Sequence, residues 1–162
     1  MILLALGANL PSAVGPPALT LRAALDKLRN LSVVPVATSQ FFVTPAWPDP
    51  SAPAFVNAVA RVETALDPAC LLRQLHAVEE FFGRRRGARN APRTLDLDLL
   101  DYDGRIEAGP PQLPHPRLEQ RGFVLMPLAE VAPRWRHPIT GRSISQLIAA
   151  LDPQNRDLPT LK

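Results

Sequence analysis

Hydrophobic and polar positions along this chain switch between two periods. Ile2 to Leu6 is a near-continuous apolar run, the pattern of a central strand, and Gly7-Ala8-Asn9-Leu10-Pro11 ends it. Leu21, Leu25 and Leu28 recur at helical spacing, with Arg22, Asp26 and Arg29 outside and Asn30 as a stop. Val33 to Phe42 is rich in β-branched and aromatic residues and predicts a second strand, interrupted by Pro35. Thr44 to Pro53 holds four prolines in ten residues, which neither a helix nor a central strand accepts. It is a loop long enough to carry a function. Phe55 to Thr64 alternates and predicts a third strand. Asp67-Pro68 opens a helix with a capping carboxylate and a first-turn proline; Leu71, Leu75, Val78 and Phe82 form its stripe and Gly83 stops it. Leu95 to Tyr102 predicts a fourth strand, and Asp103-Gly104 a turn of the kind that tips a hairpin. Helical patterns follow at Phe123 to Val131 and near Ser143 to Leu151.

The resulting order is β-α-β-β-α-β. It predicts an α+β fold of ferredoxin-like arrangement, an antiparallel sheet with helices packed on one face, followed by a C-terminal helical extension. With 162 residues and no repeat or low-complexity tract, residues 1–162 are expected to form a single domain.

Composition narrows the class. A net charge of +3 is far from that of a chain that wraps nucleic acid. Cys70 is the sole cysteine, so neither an intrachain disulfide nor a cysteine zinc site can form, which fits a reducing compartment. The opening apolar run is too short for a membrane span and lacks the basic flank of a signal peptide. The expectation is a cytoplasmic protein with no membrane or nucleic-acid partner, acting as a monomer.

The chemistry concentrates in Pro92-Arg93-Thr94-Leu95-Asp96-Leu97-Asp98-Leu99. In a strand, Asp96 and Asp98 project to one face, roughly 7 Å apart along it. Such carboxylates repel unless a cation lies between them, and Mg²⁺ with a phosphorylated substrate is a natural candidate. Arg84, Arg86, Arg89 and Arg93 precede the pair and suit phosphate. On the strand alone, a wet polar face explains the alternation equally well. An arginine run is usually a solvated surface. The alternation ends at Leu100, so Asp101 and Asp103 are not expected as ligands.

Six collinear segments carry a resemblance: Leu6-Gly7-Ala8-Asn9-Leu10, Thr44-Pro45, Phe55-Val56-Asn57-Ala58, Pro92 to Leu99, Pro114-His115-Pro116 and Arg121-Gly122-Phe123. Over nearly its whole length the chain resembles the 6-hydroxymethyl-7,8-dihydropterin pyrophosphokinases of folate biosynthesis. The resemblance implies transfer of the β,γ-diphosphoryl group of ATP to the pterin hydroxymethyl oxygen, leaving AMP, with two Mg²⁺ ions held by Asp96 and Asp98. It implies Arg84 and Arg93 as catalytic arginines, with Arg86 and Arg89 further ATP contacts on a closing lid. Phe55 and Phe123 are implied as flat walls for the pterin and Asn57 as reader of its polar edge, with Thr44, Pro45 and Trp47 beside them. His76, Glu79, Arg93, His115 and Arg121 are implied on the ATP side. The chain departs from many relatives at Asn90, where a tryptophan is common, and at Gly109-Pro110-Pro111-Gln112. Trp135, His137 and Cys70 are expected to be structural.

Two other classes compete on the residues. A nucleotidyltransferase or two-metal nuclease also uses paired aspartates, but wants a third carboxylate on a neighbouring strand, for which Glu63 is the obvious candidate. An RNA-binding module shares the sheet order, yet places aromatics on the strand that here carries aspartates.

Overall fold

The computed structural model describes residues 1–46, 49–84 and 92–161. Strand β1 spans Ile2–Ala8, helix α1 Pro17–Arg29, strands β2 and β3 Val34–Thr38 and Phe42–Thr44, and strand β4 Phe55–Glu63. Helix α2 spans Pro68–Phe81, strand β5 Asp96–Tyr102, and helices α3 and α4 Gly122–Val131 and Ile144–Ala149. The sheet is antiparallel, in the order β2-β4-β1-β5, with β3 also paired to β4. This is the expected α+β, ferredoxin-like arrangement.

The local signals account for the helices. Asp67 caps α2 by accepting the Cys70 N–H at 2.7 Å, and Gly83 ends the helix in the left-handed region at φ 82°. Ser143 and Gln146 form a reciprocal capping box on α4.

Two expectations change. The predicted strand from Val33 to Phe42 is two strands. The register on β4 slips by one residue between Thr38↔Ala60 and Phe42↔Asn57. Ser39 marks the break: its hydroxyl, not a backbone carbonyl, takes the Val59 N–H at 3.0 Å. The Gln40 N–H, left without a strand partner, donates to Glu130 on α3 at 2.7 Å. Pro35 is tolerated because β2 is an edge strand. At Asp103-Gly104 both residues do take positive φ, 52° and 69°, as a tight turn needs. No hairpin partner follows on β5 among the described residues. The chain instead closes a separate loop through mutual backbone bonds of Glu107 and Leu113 at 2.9 Å.

The sheet is covered on both faces, because the C-terminal helices pack opposite α1 and α2. Leu4, Leu6, Leu97 and Leu99 join the stripes of α1 and α2. Leu3, Val59 and Leu100 turn the other way, into Val124, Leu125, Leu128 and Leu147. Strand alternation puts Asn57, Gly7, Asp96 and Asp98 on this second face. A bulge then interrupts β5: Leu4 pairs with Leu99 but Leu3 with Asp101, leaving Leu100 as the extra residue. It turns Asp101 into the second core, where the carboxylate accepts from Trp135 Nε1 at 2.6 Å and from the Gly104 N–H at 2.9 Å. Asp101 is thus a structural carboxylate, and Asp103 pairs with the N-terminal amine.

Replacing Trp135 with Phe keeps the ring but removes the donor to a buried carboxylate. Urea denaturation is expected to show a loss of about 1–3 kcal/mol.

Candidate active site

The site is a lateral row across three strands. Asn57 on β4 stands opposite Gly7 on β1, and Gly7 stands opposite Asp96 on β5. At about 4.8 Å per strand, Asn57 and Asp96 lie roughly 10 Å apart with nothing but a glycine between them. A Cβ on Gly7 would stand 3.1 Å from Asn57 Oδ1. One step along, Ala5 pairs with Asp98. Small residues on β1 therefore form the floor of a cavity of about 780 Å³. Thr44, Pro45, Phe55 and Asn57 line one side, Arg93, Asp96 and Asp98 the other, and Arg121 and Phe123 the entrance to α3.

The register explains why the pterin-side candidates converge. Thr44 pairs with Phe55 and Phe42 with Asn57. The Asn57 amide Nδ2 donates to Thr44 Oγ1 at 2.8 Å, which fixes its orientation and presents Oδ1 toward Gly7. Phe123, on the first turn of α3, is partly exposed at the cavity edge, with the Arg121 guanidinium 5.5 Å from its ring centroid.

On the acidic side each carboxylate oxygen of Asp96 meets an arginine: Arg84 at 2.6 Å and Arg93 at 2.8 Å. Asp98 faces Arg121 at 3.4 Å and His115 Nε2 at 3.8 Å. The Asp96 and Asp98 side chains remain 25% and 34% exposed, open enough to exchange partners. His115 is held by its own backbone N–H, which donates to the carbonyl of bulged Leu100 at 2.8 Å. Its Nδ1 accepts the Arg117 N–H at 3.2 Å, which leaves the ring proton on Nε2, aimed at Asp98. Burial lowers the His115 pKa, against the pull of Asp98.

Glu79 is buried behind this group. It accepts the Leu97 N–H at 2.7 Å and pairs with Arg84, so it ties α2 to the backbone between the two aspartates. Burial pushes its carboxyl up to about 7, against the Leu97 bond and Arg84. His76 is half-buried on α2 one turn earlier, away from the cavity lining. Trp47, Arg86, Arg89 and Asn90 lie outside the described residues. The loop 109–112 does not line the cavity. Glu63 is at the far end of β4, paired beside Val34, about 20 Å of strand from Asn57. The paired aspartates therefore have no third carboxylate from it.

Two residues without an assigned role in the sequence reading are part of the site. Gly7 is its floor. Asn9 is 3% exposed; its Oδ1 accepts the Arg93 N–H at 2.8 Å and its Nδ2 donates to the Pro53 carbonyl at 3.1 Å. It joins the basic segment to the proline-rich loop. The Leu6-Gly7-Ala8-Asn9 motif was the available signal.

Among the described residues no three His, Cys, Asp or Glu side chains gather as a metal cage. Two partly exposed carboxylates with oxygen-only donors fit a hard divalent cation that completes its shell from water and substrate phosphate.

The Glu79 carboxyl binds its proton more tightly folded than unfolded, so its contribution to stability is present below about pH 4.5 and fades up to about pH 7. Glu79→Gln is expected to flatten that decline in metal-free protein, the variant gaining on the wild type as pH rises, read by thermal melts at pH 4.5 and 8.

Residues 3–133 match the family model for 7,8-dihydro-6-hydroxymethylpterin-pyrophosphokinase. The chain is 37% identical over 140 residues to the 2-amino-4-hydroxy-6-hydroxymethyldihydropteridine pyrophosphokinase of Synechocystis sp., covering 86% of this chain and 72% of that one. It is 39% identical over 151 residues to the protein of the same name from Pseudomonas aeruginosa, covering 92% and 90%. It also matches the folic acid synthesis protein fol1 of Pneumocystis carinii, 35% identical over 123 residues, covering 75% of this chain and 17% of that longer one. With the model match spanning most of its length, the chain belongs to the 7,8-dihydro-6-hydroxymethylpterin-pyrophosphokinase family.

Proposed function

We propose that the row Asn57–Gly7–Asp96 joins two half-sites of one enzyme, a pterin pocket and a metal–triphosphate site. Family membership makes the protein an ATP-dependent diphosphotransferase of folate biosynthesis. It transfers the β,γ-diphosphoryl group of ATP to the hydroxymethyl oxygen of 6-hydroxymethyl-7,8-dihydropterin and releases AMP. Phosphoryl transfer asks little covalent chemistry of a protein; it needs alignment and neutralised charge.

The observation that carries the reading is the distance across the row. The Asn57 and Asp96 backbones stand roughly 10 Å apart across the row. Their side chains share one face with only Gly7 between them, which leaves a flat ring and its hydroxymethyl arm room to bridge from the amide to the acidic side. Phe55 and Phe123 offer ring faces, and Asn57 Oδ1 offers the acceptor left by its bond to Thr44.

Asp96 and Asp98 are the residues to hold Mg²⁺, two ions by this reading. When bound, the metal would neutralise and orient phosphate oxygens. Arg84 and Arg93, which balance Asp96, are the cations that a triphosphate would attract, and Arg121 stands beside Asp98 for the same purpose, while the neutral His115 ring would offer its Nε2–H as a donor to ATP. Arg86 and Arg89 would add to them from the basic loop. Glu79 keeps Arg84 and the Leu97 backbone in place. His76, half-buried one helical turn before Glu79, would add an ATP contact from α2. The reaction is contained in the one domain spanning residues 1–162. Among the described residues no helix is long and apolar enough to cross a membrane.

A coupled assay for AMP with ATP, Mg²⁺ and the reduced pterin tests the reading. Asp98→Ala is expected to abolish AMP formation, at least a hundredfold down, with the thermal melt retained; activity within a few-fold of wild type would refute the metal assignment. Arg93→Ala is expected to lower kcat more than it raises the KM for ATP, because its charge is needed most as charge moves in the transition state.

A further inference from the structure

The C-terminal strap, residues 152–161, lies beyond the stretch matched by the family model and carries no role so far. It is nonetheless tied to β3 and α3, two of the three elements that bear pterin-side residues. The Val43 N–H donates to the Pro159 carbonyl at 2.7 Å, and the Leu161 N–H to the Phe41 carbonyl at 2.8 Å, so the strap runs antiparallel beside β3 with Thr160 opposite Phe42. At its other end the Asn155 carbonyl sits on Gly122. A Cβ there would stand 2.0 Å from that oxygen, a contact only glycine permits. Gly122 immediately precedes Phe123. Between these contacts Arg156 pins the strap to the end of α4, donating to the Ala149 and Leu151 carbonyls at 2.8 Å.

The strap therefore spans from β3, which leads into Thr44, to the first turn of α3, which carries Phe123. Three of its residues, Gln154, Asn155 and Leu158, line the same cavity as Thr44, Phe55, Asn57 and Phe123. Leu158 is half-buried and apolar. On an aqueous surface it would gain nothing by facing a cavity; against a flat heterocycle it gains burial.

We propose that the strap is the third wall of the pterin slot and that Leu158 is a specificity-determining contact to the pterin ring. The inference rests on the pterin reading of the cavity and adds to it the residue that closes its open side. Arg156 is a positioning residue, acting through the strap.

The test compares wild type with Leu158→Ala, Leu158→Met and Arg156→Ala. The readouts are steady-state AMP formation and fluorescence titration of the dihydropterin in the presence of Mg²⁺ and a non-hydrolysable ATP analogue. Leu158→Ala is expected to raise the pterin KM and dissociation constant about fivefold to tenfold. The KM for ATP and kcat are expected to stay within about twofold. Leu158→Met, which keeps the apolar volume, restores pterin affinity, and Arg156→Ala weakens pterin more than ATP. Unchanged pterin affinity in Leu158→Ala overturns the proposal, as does a parallel loss for both substrates, which would mean only a structural role. A wild-type protein that makes no AMP from this pair refutes the pyrophosphokinase reading itself and the strap inference with it. An active wild type with an indifferent Leu158→Ala refutes the strap alone.

Discussion

Asn57, Gly7 and Asp96 stand in register across β4, β1 and β5, and that alignment sets the dimensions of everything built on this face. The spacing comes from backbone hydrogen bonds, so it is as rigid as the sheet. The row can serve a ligand only because its middle position has no side chain. A methyl group at Gly7 would press on the Asn57 amide, and that amide is already locked to Thr44. The cavity floor and the reach to the acidic pair follow from that one residue, while the Thr44 bond sets the orientation of Asn57.

Charge is the second constraint. Asp96 and Asp98 share a face and would repel, and the structure balances them with Arg84, Arg93 and Arg121. The acids stay partly open to solvent, so these pairs are exchangeable, unlike the bond that holds Asp101 to Trp135 in the core. The Leu100 bulge separates the two kinds of carboxylate. Before it, β5 presents acids to the cavity; after it, the same strand turns its next acid into packing. The extra residue also offers the carbonyl that seats His115.

Much of this could be read along the chain. Asp67-Pro68 and Gly83 bounded α2 because capping and positive φ are properties of single residues. The pair Asp96 and Asp98, like Phe55 and Asn57, followed from period two alone. Less legible were features that depend on two strands at once. Val33 to Phe42 looks like one strand because its composition is continuous, yet Ser39 and a register slip divide it. Glu63 looked available as a third carboxylate until the register placed it at the opposite end of the sheet.

The amino-acid sequence by itself determined the elements, their order, and which stretches carry the paired carboxylates, the arginines and the aromatic and amide side chains. These are set by local sterics, period and side-chain chemistry. Tertiary structure alone decided that Asn57 faces Asp96 across Gly7, that Glu79 is sealed behind Arg84, and that Leu158 lines their cavity from the far end of the chain. Each of these joins positions far apart in sequence. Their separation in space depends on strand pairing and packing, which no single stretch of the chain encodes.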